Sequence, residues 1–285
     1  MIHDNVPKDL RHLILRSSVN YTVNDLKRLS ALNIPSNEID SNSAANNSSF
    51  LLTQWYHEID TRRRYELVAV LHMNVINPAI TQIHFVQNTN HCTIYDDIQI
   101  DRQFPVDLLR KKLVIFYDRN SLAQSERLVI HQAFQYANRY LSRGYIVLLN
   151  LDIFFDQSLL ILRSRSLLNS KTILYLSRYE IDPSITTLGS QCSDESYVGS
   201  HDSFIFQTPI DEHLARKFPF EIGTWHVEVK LIYEFLEADY IVRNPCKTIR
   251  IWHFHSSQIR HRLMPSKKYI PDRFLSKILR YPEYL

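Results

Sequence analysis

The chain has 285 residues, with 33 Lys and Arg against 30 Asp and Glu and a formal net charge of +3. That balance lacks the dense cationic face of a dedicated nucleic-acid binder, so no nucleic-acid partner is expected. Glycine occurs four times, at 144, 189, 199 and 223, which excludes a Gly-rich phosphate loop of the Walker or dinucleotide type. A phosphate would have to be held by a metal, by basic side chains or by a helix N-terminus.

Hydrophobic residues make up 45% of the chain, ample for a core. Cys92, Cys192 and Cys246 are scattered without a C-x-x-C pair, which predicts reduced thiols and a cytoplasmic setting. No apolar run approaches the roughly 18 residues that cross a bilayer, and no signal-type apolar core is read at the N-terminus.

Residues 1–49 form an N-terminal extension. Leu10, Leu13 and Leu15, and then Leu26, Leu29 and Leu32, have helical spacing, and the Asn/Ser-rich stretch Ile34 to Ser49 reads as a linker. From Phe50 the signals alternate. A strand is expected at Phe50–Tyr56, a helix over Arg64–Asn74 and a second strand at Ile83–Val86. Residues 89–105 read as irregular, and a third strand follows at Lys112–Tyr117. Ser125 can cap a helix with Leu128, Ala133, Phe134, Ala137 and Leu141 on its inner face, ended by Gly144. Tyr145–Leu149 is a continuous β-prone run of the kind buried on both faces of a sheet. Strands follow at Ile173–Leu176, Ser203–Phe206, Tyr240–Arg243 and Thr248–Phe254, with a helix over Trp225–Ala238. Strands alternating with helices predict one α/β domain over 50–262, with a central mixed, mostly parallel sheet. Residues 263–285 form a basic, proline-containing tail.

Four places carry chemistry-bearing residues. Asn150 and Asp152 follow the Tyr145–Leu149 strand, where open α/β sheets build their ligand crevices and a carboxylate can hold a hard divalent cation. His253 and His255 lie on one face of an extended chain and can bind a metal together. Asp202 precedes an aromatic strand and can act as a base. Glu228 follows Gly223 at the start of a helix, where an acid also complements the helix dipole. Arg64, Arg127 and Arg178 stand near these places and can neutralise a diphosphate.

As an ordered set, LLTQWY, RRRYEL, ERLVIHQAFQYAN, VLLNLDIFFDQSL, LYLSRYE, SHDSFIF, FEIG and IVRNPCKTIRIWHFHSSQIR resemble one group of proteins. They are the glycosyltransferase-like proteins with a GT-A (nucleotide-diphospho-sugar transferase) fold, and the resemblance runs from Phe50 to Arg262. It implies that Asp152, with His253 or His255, binds Mn²⁺ or Mg²⁺ and through it a nucleotide-sugar donor. It further implies that Asp202 lies on the side of an unknown acceptor hydroxyl, and that Arg64, Glu66, Arg127, Asn150 and Arg178 line the nucleotide cleft. Three positions depart from the family pattern: Asn150 replaces the first acid of the metal motif, Gln87 replaces an acid, and Val227-Glu228-Val229 replaces Cys-Asp-Asn. Together they imply a weakened or inactive transferase, and Asn150 implies weaker metal binding.

Two other classes compete. Glu228-Val229-Lys230 reads as the E-x-K half of a metal-dependent nuclease site, with Asp202 or Asp152 as its upstream acid. That chemistry needs a strand, whereas Val227, Leu231, Phe235 and Ala238 have helical spacing. A non-catalytic sugar- or nucleotide-binding module on the same fold is the third reading.

Overall fold

The structure, a computed structural model, describes residues 48–118, 127–142, 144–164, 171–181, 201–224 and 227–257. The N-terminal leucine pattern, the helix cap expected at Ser125, Trp225 with His226, and the tail lie outside these residues.

Nine strands among the described residues are β1 (Ser48–Thr53), β2 (Gln82–Gln87), β3 (Leu113–Tyr117), β4 (Gly144–Leu149), β5 (Ile153–Phe155), β6 (Thr172–Ile181), β7 (His201–Gln207), β8 (Ile241–Arg243) and β9 (Ile251–Phe254). The helices are α1 (Thr61–Ile76), α2 (Ile94–Asp97), α3 (Val106–Lys112), α4 (Ile130–Tyr140), α5 (Ile161–Ser164), α6 (Glu212–Ala215) and α7 (Val227–Glu237). The strands join in the order β3-β2-β1-β4-β7-β6-β9-β5, with β8 beside β6. Strands β3, β2, β1 and β4 run parallel, β7 is antiparallel to both β4 and β6, and β6 is parallel to β8 and β9. The sheet is therefore mixed and mostly parallel, and β4 lies at its centre.

Alternation along β4 divides the core. Ile146 and Leu148 face a layer built from α4 and α7, whereas Tyr145, Val147 and Leu149 face a layer that includes α1. In the first layer Phe134 meets Phe206, Phe218 and Phe235 edge to face, with ring centroids 5.3 to 5.9 Å apart. In the second, α1 starts where the Asp60 side chain accepts from the Arg62 and Arg63 amides, at 2.9 and 3.1 Å. That cap fixes the rotational phase of its first turn, so Arg63 and Glu66, three apart, face β5 and β9.

Several expectations change. Gly144 does not end a helix; it opens β4, where a Cβ would stand 2.6 Å from the Ser48 carbonyl oxygen and 2.5 Å from the Phe50 ring. The chains of β1 and β4 pass too closely there for any side chain. Strand β1 begins at Ser48, inside the stretch read as linker. Residues 89–105 contain α2 and a 3-10 turn at Ile98–Ile100. Cys246 is disulfide-bonded, against the expectation of reduced thiols, whereas Cys92 is a free thiol. Among the described residues no helix is long and apolar enough to cross a membrane.

Candidate metal and phosphate site

The site begins where β4 ends. Asn150 turns the chain, the Ile153 amide bonds back to its carbonyl at 3.3 Å, and β5 then pairs antiparallel with β9, placing Ile153 opposite His253. This pairing brings Asp152 and His253 together across 101 residues: His253 Nε2 lies 3.2 Å from Asp152 Oδ2. His255, two residues on, shares the His253 face, and the two rings meet edge on at 5.5 Å. One ligand atom from each of Asp152, His253 and His255 lies within 4.8 Å of the others. Ligands at about 2.0–2.2 Å from one ion stand roughly 3 to 4.4 Å apart, so side-chain adjustments of about an ångström close the set.

A chain of alternating charges runs through this trio. Arg63 Nη2 donates to Asp152 Oδ2 at 2.6 Å, and its Nη1 reaches Glu66 Oε2 at 3.0 Å and the Phe254 carbonyl at 3.2 Å. On the other side His253 Nδ1 meets Glu180 Oε2 at 2.6 Å. Glu180 Oε1 accepts from Arg178 Nε at 2.5 Å, and Arg178 Nη1 donates to Asp202 Oδ2 at 2.7 Å. Asn150 Nδ2 closes the line on Asp202 Oδ1, at 2.7 Å. Each buried charge thus has an opposite neighbour, the condition for keeping ionised groups inside a fold.

The same contacts set protonation. Burial acts to raise the pKa of Asp152, but His253 and Arg63 outweigh it and hold the carboxyl well below its usual range. For His253 burial acts downward, yet Asp152 and Glu180 lift it to about 9. Burial, helped by the charge of Arg63, pushes His255 down to about 4, leaving a neutral imidazole available as a ligand.

Beside this line lies a cavity of about 20 Å³, room for one water, bordered by Asn150, Asp202, Thr224 and Glu228. Gly223 shapes its wall with φ +75, a left-handed conformation that suits glycine, opposite the Asn150 side chain. Burial first, and then the charge of Asp202, raises Glu228 to about 8.

The structure therefore gathers Asp152, His253, His255, Asn150, Asp202, Arg178, Glu66 and Glu228 into one region, with roles that differ in part from those expected. Asn150 spends its amide on Asp202, so an aspartate there would face a second carboxylate. Both oxygens of Asp202, the expected base, are engaged. Glu66 accepts from Ser256 Oγ, Ser257 N and Ser257 Oγ, and so pins the loop after β9. Arg64 points away, 3.7 Å from Asp97. Arg127 precedes α4 rather than lying on it, and its carbonyl accepts from Asn88 at 2.6 Å. Glu228-Val229-Lys230 lies on α7, which removes the strand that the nuclease reading needs.

Arg63 and Glu180 were missed by sequence reasoning. Arg63 was hidden among three consecutive arginines, and only the Arg63/Glu66 spacing marked it. Glu180 is two residues beyond Arg178, on the same strand face, and that alternation was the available signal.

No protein-family model and no curated protein matches the chain. Among solved structures the chain is similar to GalNAc-T7 with UDP, GalNAc and Mn²⁺, at 10% identity and TM-score 0.45, over 74% of this chain and 44% of that one. It is similar to the mannosyltransferase PcManGT from Pyrobaculum calidifontis in complex with GDP-Man and Mn²⁺, at 9% identity and TM-score 0.45, over 82% of this chain and 63% of that one. A third is the inositol-1-phosphate CTP transferase from T. maritima, at 10% identity and TM-score 0.41, over 84% and 98%. The chain spans less than two thirds of the length of the first two. Likenesses of this size assign no activity, and the functional reading rests on the chain's own residues.

Proposed function

We propose that the chain is a metal-dependent glycosyltransferase, moving a sugar from a nucleotide-diphosphate donor to an acceptor hydroxyl. The observation that carries the proposal is the meeting of Asp152, His253 and His255 just past the carboxyl end of β4, beside the buried Arg63 and the half-buried Arg178. One carboxylate and two imidazoles suit Mn²⁺ better than Mg²⁺, which prefers oxygen ligands alone. When bound, such a cation stabilises the negative charge that develops on a departing diphosphate.

The remaining work falls to the protein. Glu180 holds His253 by Nδ1, and the Nε2 that now faces Asp152 would give up its proton to serve as a ligand. Arg63, with three of its five N–H groups on Asp152, Glu66 and the Phe254 carbonyl, has two left for a phosphate oxygen on the α1 side. Arg178 keeps Asp202 and Glu180 apart and neutralised. In an inverting transfer Glu228 takes the proton of the acceptor hydroxyl, since its pKa near 8 matches proton transfer close to neutrality. Asp202 supports it by raising that pKa, while its two oxygens hold Arg178 and Asn150.

The test is thermal unfolding of the full chain against UDP-, GDP- and ADP-sugars, with and without Mn²⁺. One donor class should stabilise the protein when Mn²⁺ is present, by RT ln(1 + [L]/Kd), about 2.7 kcal/mol at a hundredfold excess over Kd. A folded protein that responds to none of these donors would overturn the proposal.

A further inference from the structure

We propose that Arg63 occupies the cation's side of Asp152 and so makes cation binding conditional on a phosphate anion. The inference rests on the metal-site reading above and goes beyond it by naming the group that couples the two ligands.

Asp152 Oδ2 receives both Arg63 Nη2, at 2.6 Å, and His253 Nε2, at 3.2 Å. This oxygen, the one nearest His253, is thus already directed at a guanidinium and an imidazole. Arg63 cannot swing clear. Its side chain is 6% exposed, its Nη1 is tied to Glu66 and to the Phe254 carbonyl, and its backbone stands in the capped first turn of α1. A divalent cation entering the trio meets a fixed positive charge with little water between them to screen it. The free protein should therefore hold Mn²⁺ weakly.

A diphosphate changes this balance. Three of the five Arg63 N–H groups are committed to Asp152, Glu66 and the Phe254 carbonyl, so a diphosphate oxygen that accepts from one of the remaining two and also binds the cation turns a repulsive pair into a bridged one. The cation and the anion then each raise the affinity of the other, by the same factor. Arginine rather than lysine suits the position because the fork already serves three acceptors with fixed geometry.

The experiment measures free Mn²⁺ by electron paramagnetic resonance with the full chain, alone and with inorganic pyrophosphate, after correcting for the Mn²⁺–pyrophosphate complex formed without protein. Wild type should bind Mn²⁺ weakly alone and roughly tenfold or more tightly with pyrophosphate. Arg63→Met should bind Mn²⁺ alone roughly tenfold more tightly than wild type, with the pyrophosphate enhancement largely lost. Arg63→Lys keeps the charge and should keep the weak binding. If Arg63→Met does not fold, Arg63→Gln carries the same expectation. Mn²⁺ affinity unchanged or lowered in a folded Arg63→Met would overturn the proposal while leaving the metal site standing. Identical behaviour of Arg63→Lys and Arg63→Met would also overturn it, since the effect would then come from lost packing. No Mn²⁺ binding by any variant, with or without pyrophosphate, would overturn the site reading itself.

Discussion

Glu180→Gln tests whether His253 is an oriented ligand. Glu180 stands between two donors, with Oε2 2.6 Å from His253 Nδ1 and Oε1 2.5 Å from Arg178 Nε. Burial acts to raise its pKa, but His253 and Arg178 outweigh that and keep it charged. Glutamine has nearly the same shape but a single acceptor oxygen, so it cannot accept from both neighbours. Whichever donor faces the new NH₂ group loses its partner, and the imidazole is no longer fixed by a full negative charge. Loss of such an outer partner typically lowers metal affinity by about 10- to 100-fold, which is roughly 1.4 to 2.7 kcal/mol. Calorimetric titration of Mn²⁺ in the presence of pyrophosphate measures this directly, with circular dichroism confirming the fold. The effect has the opposite sign to that of Arg63→Met, so the pair separates orientation from charge repulsion. Mn²⁺ affinity within about twofold of wild type would refute the reasoning, because His253 would then owe its position to something other than Glu180.

Asp152→Ala should abolish Mn²⁺-dependent stabilisation by a nucleotide sugar, seen as coincident melting curves with and without the ion. Glu228→Gln should lower kcat by roughly 10²- to 10⁴-fold while leaving donor binding intact, and the rise of activity through about pH 8 should vanish from the pH profile. His84, buried between Tyr136 and Gln82, is held down at about 4 by desolvation. Its folded pKa lies below the unfolded value of about 6.5, so its contribution is full above that value and is lost as pH falls toward 4, by at most about 3 kcal/mol. Urea titrations from pH 7 to 4 should therefore lose less stability in His84→Gln than in wild type.

How far the sequence reached differs between the fold and the site. The Tyr145–Leu149 run was legible because five consecutive β-prone apolar residues in a short segment suit a strand buried on both faces. The α4 and α7 stripes were legible because each buries an apolar face, whereas α1 is buried all round from Glu66 to Val75. Strand β5 was invisible. It is three residues long, and its strand character comes from pairing with β9, nearly a hundred residues away. Residues 89–105 hid α2 because four residues carry too little periodicity to show.

For the site, the sequence by itself determined which residue types stand at the strand ends: Asp152 after β4, Asp202 in β7 and two histidines on one face at β9. Local chemistry and a period of two suffice for that. Only the tertiary structure decided what those side chains do. The β5–β9 register brought Asp152 onto His253, and the capped first turn of α1 selected Arg63 over Arg64 as the arginine facing them. Arg178 came to separate Glu180 from Asp202, and packing of α7 set Glu228 beside Asp202 at the cavity. Hydrogen bonds between groups 24 to 101 residues apart are set by packing of the whole sheet, and no local pattern in the chain encodes them.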